Sequence, residues 1–266
     1  MPFAAVDDGV ELFYSEHGAG PPLLMVHGWS CDSHDWMWQI PAFAVGHRVI
    51  APDLRGHGRS SVPDVGFSPP RFAADLVRLL EILGTGPVIA MGHSLGTIVA
   101  STLAVERPDL VTALVLSDPV YGLPAEMMPM LEVTVQAFGS ADPIAIAQGA
   151  FELFYTAETP AHLPVWHKRR IAGMPPHVVA QTLVNLYTGP EAWAVGPATA
   201  AYLARRSRPV LAFYAEEPRA AVERSVLPDD GVSALHVWPG AGHFLHQERP
   251  GAFNETVLAW LGSLAR

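Results

Sequence analysis

Residues 87–101, PVIAMGHSLGTIVAS, leave this chain few ways to fold. An apolar run of strand length stops at Gly92-His93-Ser94-Leu95-Gly96, and an apolar run of helical length begins at once. A strand that is apolar on both faces belongs inside a parallel sheet, where each return to a parallel neighbour needs a crossover, usually a helix. Glycines on either side of the serine permit a turn too sharp for side chains. The segment predicts the middle of a parallel sheet, with a hydroxyl raised above its carboxyl edge at the start of a helix.

The same rhythm runs through the first half of the chain. Strands are expected over 10–18, 22–28, 47–54, 86–92 and 111–118, and helices over 32–43, 69–84 and 95–106. In the second of these helices Phe72, Leu76, Leu79, Leu80 and Leu83 fall at helical spacing, and Gly84 is the expected stop. After Asp118 the rhythm changes. Residues 120–203 are rich in Met, Ala and Pro, with helical patterns near 125–138, 142–156, 160–173 and 176–187 and no clear buried strand. Strands resume at 208–215 and 232–240, and a last helix spans 251–264. The expected organisation is an α/β core, residues 1–119 and 204–266, interrupted by a helical insertion over 120–203. An insertion at the carboxyl edge of a parallel sheet lies where such sheets bind ligands, so it reads as a cap over a pocket.

Composition removes several function classes. A formal charge of −10 over 266 residues argues against an electrostatic grip on nucleic acid or an anionic membrane. The densest basic run, HKRR at 167–170, reads as a solvated helix face. A single cysteine, Cys31, excludes an intrachain disulfide and any multi-cysteine metal site. The first residues look unlike a signal peptide, and no segment reaches the ~18 apolar residues of a membrane span. A soluble, cytoplasmic protein is expected. Neither metal nor cofactor is expected: His, Asp and Glu show no ligand spacing, and phosphate-loop and dinucleotide patterns are missing. Composition leaves the oligomeric state open.

A Gly-x-Ser-x-Gly between strand and helix is a nucleophile elbow. Ser94 needs a base, because a serine hydroxyl is a poor nucleophile alone. Of the twelve histidines, His243 follows the last expected strand and opens on the same sheet edge. His246 holds that loop or lines the pocket, and His93 points away from the site. The Leu95 N–H, at the positive end of the helix dipole, faces developing negative charge. After the strand at 22–28, Gly28 permits close approach and the Trp29 N–H offers a second donor, with the Trp29 ring as pocket floor. Cys31 lies near but lacks a paired base. Asp53, Arg55, His57 and Arg59 read as a glycine-rich turn held by Asp–Arg hydrogen bonds.

His27-Gly28-Trp29, DLRGHGRS (53–60), GHSLG (92–96) and GAGHFLHQERP (240–250), in that order, resemble the α/β-hydrolase superfamily in its capped, cofactor-free esterase and lactonase branch. The likeness covers residues 10–118 and 208–264. It implies a mostly parallel eight-stranded sheet with helices on both faces and a helical cap inserted after the sixth strand. It also implies Ser94 as nucleophile and His243 as base. Dehalogenases and epoxide hydrolases of that superfamily carry aspartate at the elbow, a chemistry Ser94 excludes. Thr97 stands where the family often has glycine. The triad acid is open. Its usual place follows the strand equivalent to PVLAFYA, where this chain reads YAEEPRAA (214–221) and offers Glu217, or Glu216, but no aspartate. The superfamily's other place falls on Asp118, at the end of the strand before the insertion. Asp118 is preferred and Glu217 is the alternative.

The expected substrate is a small hydrophobic or aromatic carboxylic ester or lactone. Candidate contacts are Gly28, Trp29, Val120, Tyr121, Trp166 and Trp193, with Trp36 and Trp38 as further wall candidates. Met127, Met128, Met130, Phe138, Phe151, Phe154, Tyr155 and Tyr187 supply the core of the insertion or its pocket face. Three other functions stay open. One is carbon–carbon hydrolysis of a diketone, for which Arg169, Arg170, Arg205 or Arg206 would hold a substrate carboxylate. The others are perhydrolysis and a ligand receptor that retains the triad.

Overall fold

The computed structural model describes residues 2–189, 191–196 and 198–264. Eight strands form one sheet: β1 (Phe3–Asp7), β2 (Val10–His17), β3 (Pro22–Val26), β4 (Arg48–Pro52), β5 (Val88–His93), β6 (Val111–Ser117), β7 (Val210–Tyr214) and β8 (Ala234–Val237). Their spatial order is β1-β2-β4-β3-β5-β6-β7-β8. β1 and β2 pair antiparallel, as do β2 and β4, and every later pairing is parallel. The mostly parallel eight-stranded α/β sheet expected from the resemblance is therefore the fold.

The helices are α1 (Ile40–Phe43), α2 (Pro69–Leu83), α3 (Leu95–Glu106), α4 (Met128–Ala137), α5 (Pro143–Glu152), α6 (His162–Ala172), α7 (Pro176–Tyr187), α8 (Ala198–Leu203), α9 (Glu217–Val226), α10 (Leu245–Glu248) and α11 (Pro250–Leu264). They cover both faces because alternate residues of each buried strand point to opposite sides. Leu24 and Val26 of β3, Ala90 of β5 and Leu114 and Leu116 of β6 pack with Phe72 and Leu76 of α2 and Ile98 and Leu103 of α3. Leu23, Met25, Ile89, Met91, Val115 and Phe213 face the other way, onto Phe43 of α1 and Phe253, Val257 and Trp260 of α11. With both faces packed, the strands carry no polar alternation, which is why the central runs read as continuously apolar.

Three expectations need correction. β1 is a strand that the sequence reading did not include. The expected helix over 32–43 is a short 3-10 turn at Ser33–Trp36 followed by the four residues of α1, with Pro41 at the latter's start. Residues 214–221 are not a loop: α9 begins at Glu217, only two residues separating it from the end of β7. Between β6 and β7 the described residues form α4–α8 and a 3-10 turn, with no strand. No helix among the described residues is long and apolar enough to cross a membrane.

The connectivity also creates a crevice. From β3 the chain moves to one side to form β4, then returns to the other side to form β5, so the segments leaving β3 and β5 diverge around a shared edge. Open α/β sheets bind ligands at such a switch point. Trp29 follows β3 there and Ser94 follows β5.

Candidate active site

Ser94 sits at the tip of the β5–α3 turn with φ 53° and ψ −119°, a conformation that costs a non-glycine residue on the order of 1–3 kcal/mol. The strain is held by close packing on both sides. A Cβ on Gly96 would overlap the Val26 carbonyl and come within 2.8 Å of the His27 carbonyl oxygen, both of them backbone. A Cβ on Gly28 would meet His93 Nδ1 at 3.0 Å and Ser94 Cβ at 3.1 Å. Glycine at these two positions lets the loop after β3 lie directly against the elbow. The Ser94 N–H donates to the Ser117 carbonyl at 3.1 Å, fixing the turn to the end of β6.

His243 lies between β8 and α10. Its N–H donates to the Phe154 carbonyl at 2.9 Å, and its ring packs 4.5 Å from the Phe154 ring. The loop around it is tied down again where Gly242 N–H and the Thr159 hydroxyl both donate to Glu248, and where Thr156 donates to the Gly240 carbonyl. His243 Nδ1 is 2.5 Å from Asp118 Oδ2. That contact puts the ring proton on Nδ1 and leaves Nε2 as an acceptor; Nε2 is buried and has no protein partner among the described residues.

Asp118 follows β6 and is fully buried at φ 45°. Its Oδ1 accepts the Ala215 N–H at 3.0 Å, and its Oδ2 also accepts from Arg219 Nη1 at 2.7 Å. Burial alone would raise its pKa, but the Arg219 charge and the His243 hydrogen bond outweigh it and hold the carboxyl below its ordinary value. Glu217 is elsewhere: its carboxylate pairs with Arg224 at 2.7 Å on the exposed side of α9. Glu216 lines the cavity described next.

Ser94 and His243 open on a cavity of about 580 Å³, and His93, expected to point away from the site, lines it as well. Its walls are chiefly apolar: Trp29 and Val120 from the core, and Met130, Leu131, Phe151, Leu186 and Tyr187 from α4, α5 and α7, with Met127 just before α4 and Phe154 just after α5. Trp29 packs edge-on against Phe138 and donates its ring N–H to the Val179 carbonyl of α7 at 3.0 Å. Neither the Trp29 nor the Leu95 backbone N–H has a protein acceptor among the described residues.

Four expected contact residues are not at this cavity: Gly28, which packs against His93 and Ser94 at the elbow, and three aromatic residues. Tyr121 is buried behind it, donating to Glu223 Oε2 at 2.5 Å. Trp166 packs against His162 and His34 on the outer side of α6. Trp193 stacks on Tyr202 and donates to Thr102. Trp36 is core, packed 4.5 Å from the His246 ring, and Trp38 is 40% exposed. Each is amphipathic and aromatic, so sequence spacing alone did not separate wall from packing. His246 is fully buried between Trp36 and His93, off the cavity, and burial lowers its pKa to about 3. Arg170 of α6 pairs with Asp32 and Asp35, Arg206 with Glu223, and Arg205 with Glu106. Neither these nor Arg169 lines the cavity; Arg219 does. The turn at 53–59 is a hydrogen-bonded hub in which Asp53 accepts from Ser33 N–H and from Arg59. Arg219 is the site residue that sequence reasoning missed. Its signal was a lone basic residue in the stretch read as the loop for the acid.

A serine raised on a strained strand-to-helix turn at the switch point of a parallel sheet defines the α/β-hydrolase class of fold and site. The Alpha/beta hydrolase family model matches residues 23–256, and the chain belongs to that family. A 98-residue stretch is 44% identical to a non-heme haloperoxidase of Rhodococcus erythropolis, covering 36% of this chain and 35% of that protein. A 119-residue stretch is 40% identical to a soluble epoxide hydrolase of a Corynebacterium species, covering 45% and 42%. The aligned part is thus less than half the length of either relative. Likeness to solved structures runs the full length. Est816, described as an N-acyl homoserine lactone degrading enzyme, superposes with TM-score 0.82 at 26% identity, over 97% of this chain and 99% of its own. A thermophilic esterase from Thermogutta terrifontis gives 0.80 at 27%, over 96% and 94%.

Proposed function

We propose that this hydrolase cleaves hydrophobic carboxylic esters or lactones through an acyl-enzyme, with Ser94 as nucleophile, His243 as base and Asp118 as the acid that orients it. The contact between His243 Nδ1 and the buried Asp118 carboxylate carries the proposal, because it presents an unprotonated Nε2 to the cavity that Ser94 shares. His243 Nε2 takes the Ser94 proton as Oγ attacks the carbonyl. The N–H groups of Trp29 and Leu95 hold the oxyanion, each worth about 10²–10³ in rate where such donors have been removed. The imidazolium then gives its proton to the leaving alkoxide, and water repeats the sequence on the acyl-enzyme. Residues 120–203 act as the cap, with Val120 and the aromatic and methionine side chains of α4, α5 and α7 holding an apolar acyl or alcohol group.

Support for an uncharged substrate comes from the walls, where Arg219 is already paired with Asp118. The carbon–carbon reading wanted a cation for a substrate carboxylate, and the four arginines named for it are committed elsewhere or exposed. Similarity to a lactone-degrading enzyme and to an esterase supports both halves of the proposal without choosing between them. The test is turnover of a panel of p-nitrophenyl esters, aromatic lactones and N-acyl homoserine lactones by wild type and Ser94→Ala. Hydrolysis that Ser94→Ala abolishes is expected. Equal inertness of both proteins on the panel overturns the proposal.

A further inference from the structure

We propose that Arg219 is a positioning residue: its charge, shared with His243 on one carboxylate oxygen, weakens the pull of Asp118 on a proton carried by the base. The inference rests on the Asp118–His243 reading above. Arg219 Nη1 and His243 Nδ1 both reach Asp118 Oδ2, at 2.7 and 2.5 Å, while Arg219 Nη2 donates to the Pro119 carbonyl at 2.8 Å. The guanidinium therefore grips the acid and the backbone immediately after it. That grip explains how a non-glycine residue is held at φ 45°. Glu223 stands one helical turn further along α9. It binds Arg206 just after α8 and Tyr121 just after β6, so α9 is anchored to both ends of the segment between β6 and β7. Arg219 is consequently aimed by a rigid, buried frame.

The electrostatic consequence has a definite sign. A lone buried carboxylate would stabilise an imidazolium strongly; one already neutralised by a guanidinium does so less. The other groups around His243 do not replace that charge. His93 packs 4.7 Å away, His246 lies behind it and His167 approaches from α6, and burial disfavours the charged form of all three. Glu248 of α10 is occupied by Gly242 N–H and Thr159, and Glu216 lines the cavity. Asp35 is paired with Arg170. Removing the Arg219 charge leaves the Asp118–His243 pair with an uncompensated negative charge. The pair then holds its proton to higher pH, whichever residue carries it.

The experiment follows the His243 ring resonance by NMR against pH in wild type, Arg219→Gln and Arg219→Lys, assigned by its loss in His243→Gln. The acid limb of kcat/KM is recorded on the same proteins. Arg219→Gln is expected to raise both apparent pKa values by about one unit or more, and Arg219→Lys to restore them to within a few tenths. Arg224→Gln, on the same helix but paired with Glu217 outside the site, is the control that leaves both unchanged. Uniformly lower activity in Arg219→Gln with an unmoved titration makes Arg219 merely structural and overturns the proposal. If Arg219→Gln does not fold, Arg219→Lys decides: an apparent pKa that moves up although the charge is kept overturns it, and one that stays while kcat falls supports it. The NMR titration needs no substrate, so an inert ester panel defeats the functional reading while the titration still tests Arg219.

Discussion

Replacing Asp118 by asparagine conserves shape while changing what each neighbour meets. In the native protein Oδ1 accepts from Ala215, and Oδ2 accepts from both His243 and Arg219. The amide has one oxygen for three donors. If that oxygen stays with Ala215, the NH2 group faces His243 Nδ1, which can only accept it by moving its own proton to Nε2. A base protonated on Nε2 cannot take the Ser94 proton. In serine proteases the equivalent tautomer error costs about 10⁴ in kcat, or about 5.4 kcal/mol of barrier. Stability falls as well, because Arg219, 13% exposed, loses its counter-ion; breaking one side of a buried pair costs about 3–5 kcal/mol. The two losses have different remedies. In the double variant Asp118→Asn/Arg219→Met the stranded charge is gone, so the urea midpoint recovers while kcat stays near the Asp118→Asn value. Ester hydrolysis and urea unfolding measured on wild type, both variants and Glu217→Gln provide the comparison. Retention of kcat within tenfold of wild type in Asp118→Asn, or an equal collapse in Glu217→Gln, refutes the assignment of the acid.

The buried histidines make stability pH-dependent. Burial lowers His57 and His246 to about 3 and His167 to about 4, so between pH 6.5 and those values the unfolded chain binds protons that the folded one refuses. Stability is therefore full above pH 6.5 and lost as pH falls, by up to about 1.4 kcal/mol per pH unit per histidine; a urea midpoint unchanged from pH 7 to pH 5 contradicts this. Gly96→Ala forces a methyl group into the Val26 and His27 carbonyls, and is expected to cost about 1–3 kcal/mol and at least about 10² in kcat/KM. Full activity in that variant means the elbow tolerates displacement. Arg206→Met strands the fully buried Glu223 and is expected to cost about 3–5 kcal/mol, most of it regained in Arg206→Met/Glu223→Leu. Thermal melting of the pair of variants checks this, and equal melting points contradict it.

Residues whose meaning is local were legible in the sequence. The strand–turn–helix at 87–101 depends on contiguous residues, and α2 announces its ends through Pro69 and Gly84. β1 was missed because five residues on an edge, three of them exposed, carry no burial pattern strong enough to read. α9 was missed because Pro218 and the paired glutamates look like a turn, whereas proline is well suited to a helix's first turn. Within the site, the uncertainty over the acid came from distance along the chain: Asp118 and His243 are 125 residues apart, and only folding decides which carboxylate reaches the imidazole. The aromatic residues posed a different difficulty. Trp166 and Trp193 have the composition of a binding wall, but the direction a side chain takes from its helix depends on packing partners that periodicity does not name.

The pairing of β6 with β7 bears on how such a protein can change. Forming it closes a loop of roughly 90 residues between Ser117 and Val210, yet the entropy of closure grows only with the logarithm of that length, so doubling it adds about 0.6 kcal/mol. The sheet is thus nearly indifferent to how much chain is stored there, while Asp118 on one side of the gap and Ala215 on the other fix the carboxylate whatever lies between. Closure entropy therefore sets little limit on the length of α4–α7; the limit comes from contacts that reach back to the core, such as Phe154 with His243 and Val179 with Trp29. A further constraint sits at the two ends of the gap, where Tyr121 and Arg206 must still find Glu223. New specificities on this scaffold should accumulate between those two residues and stop at them.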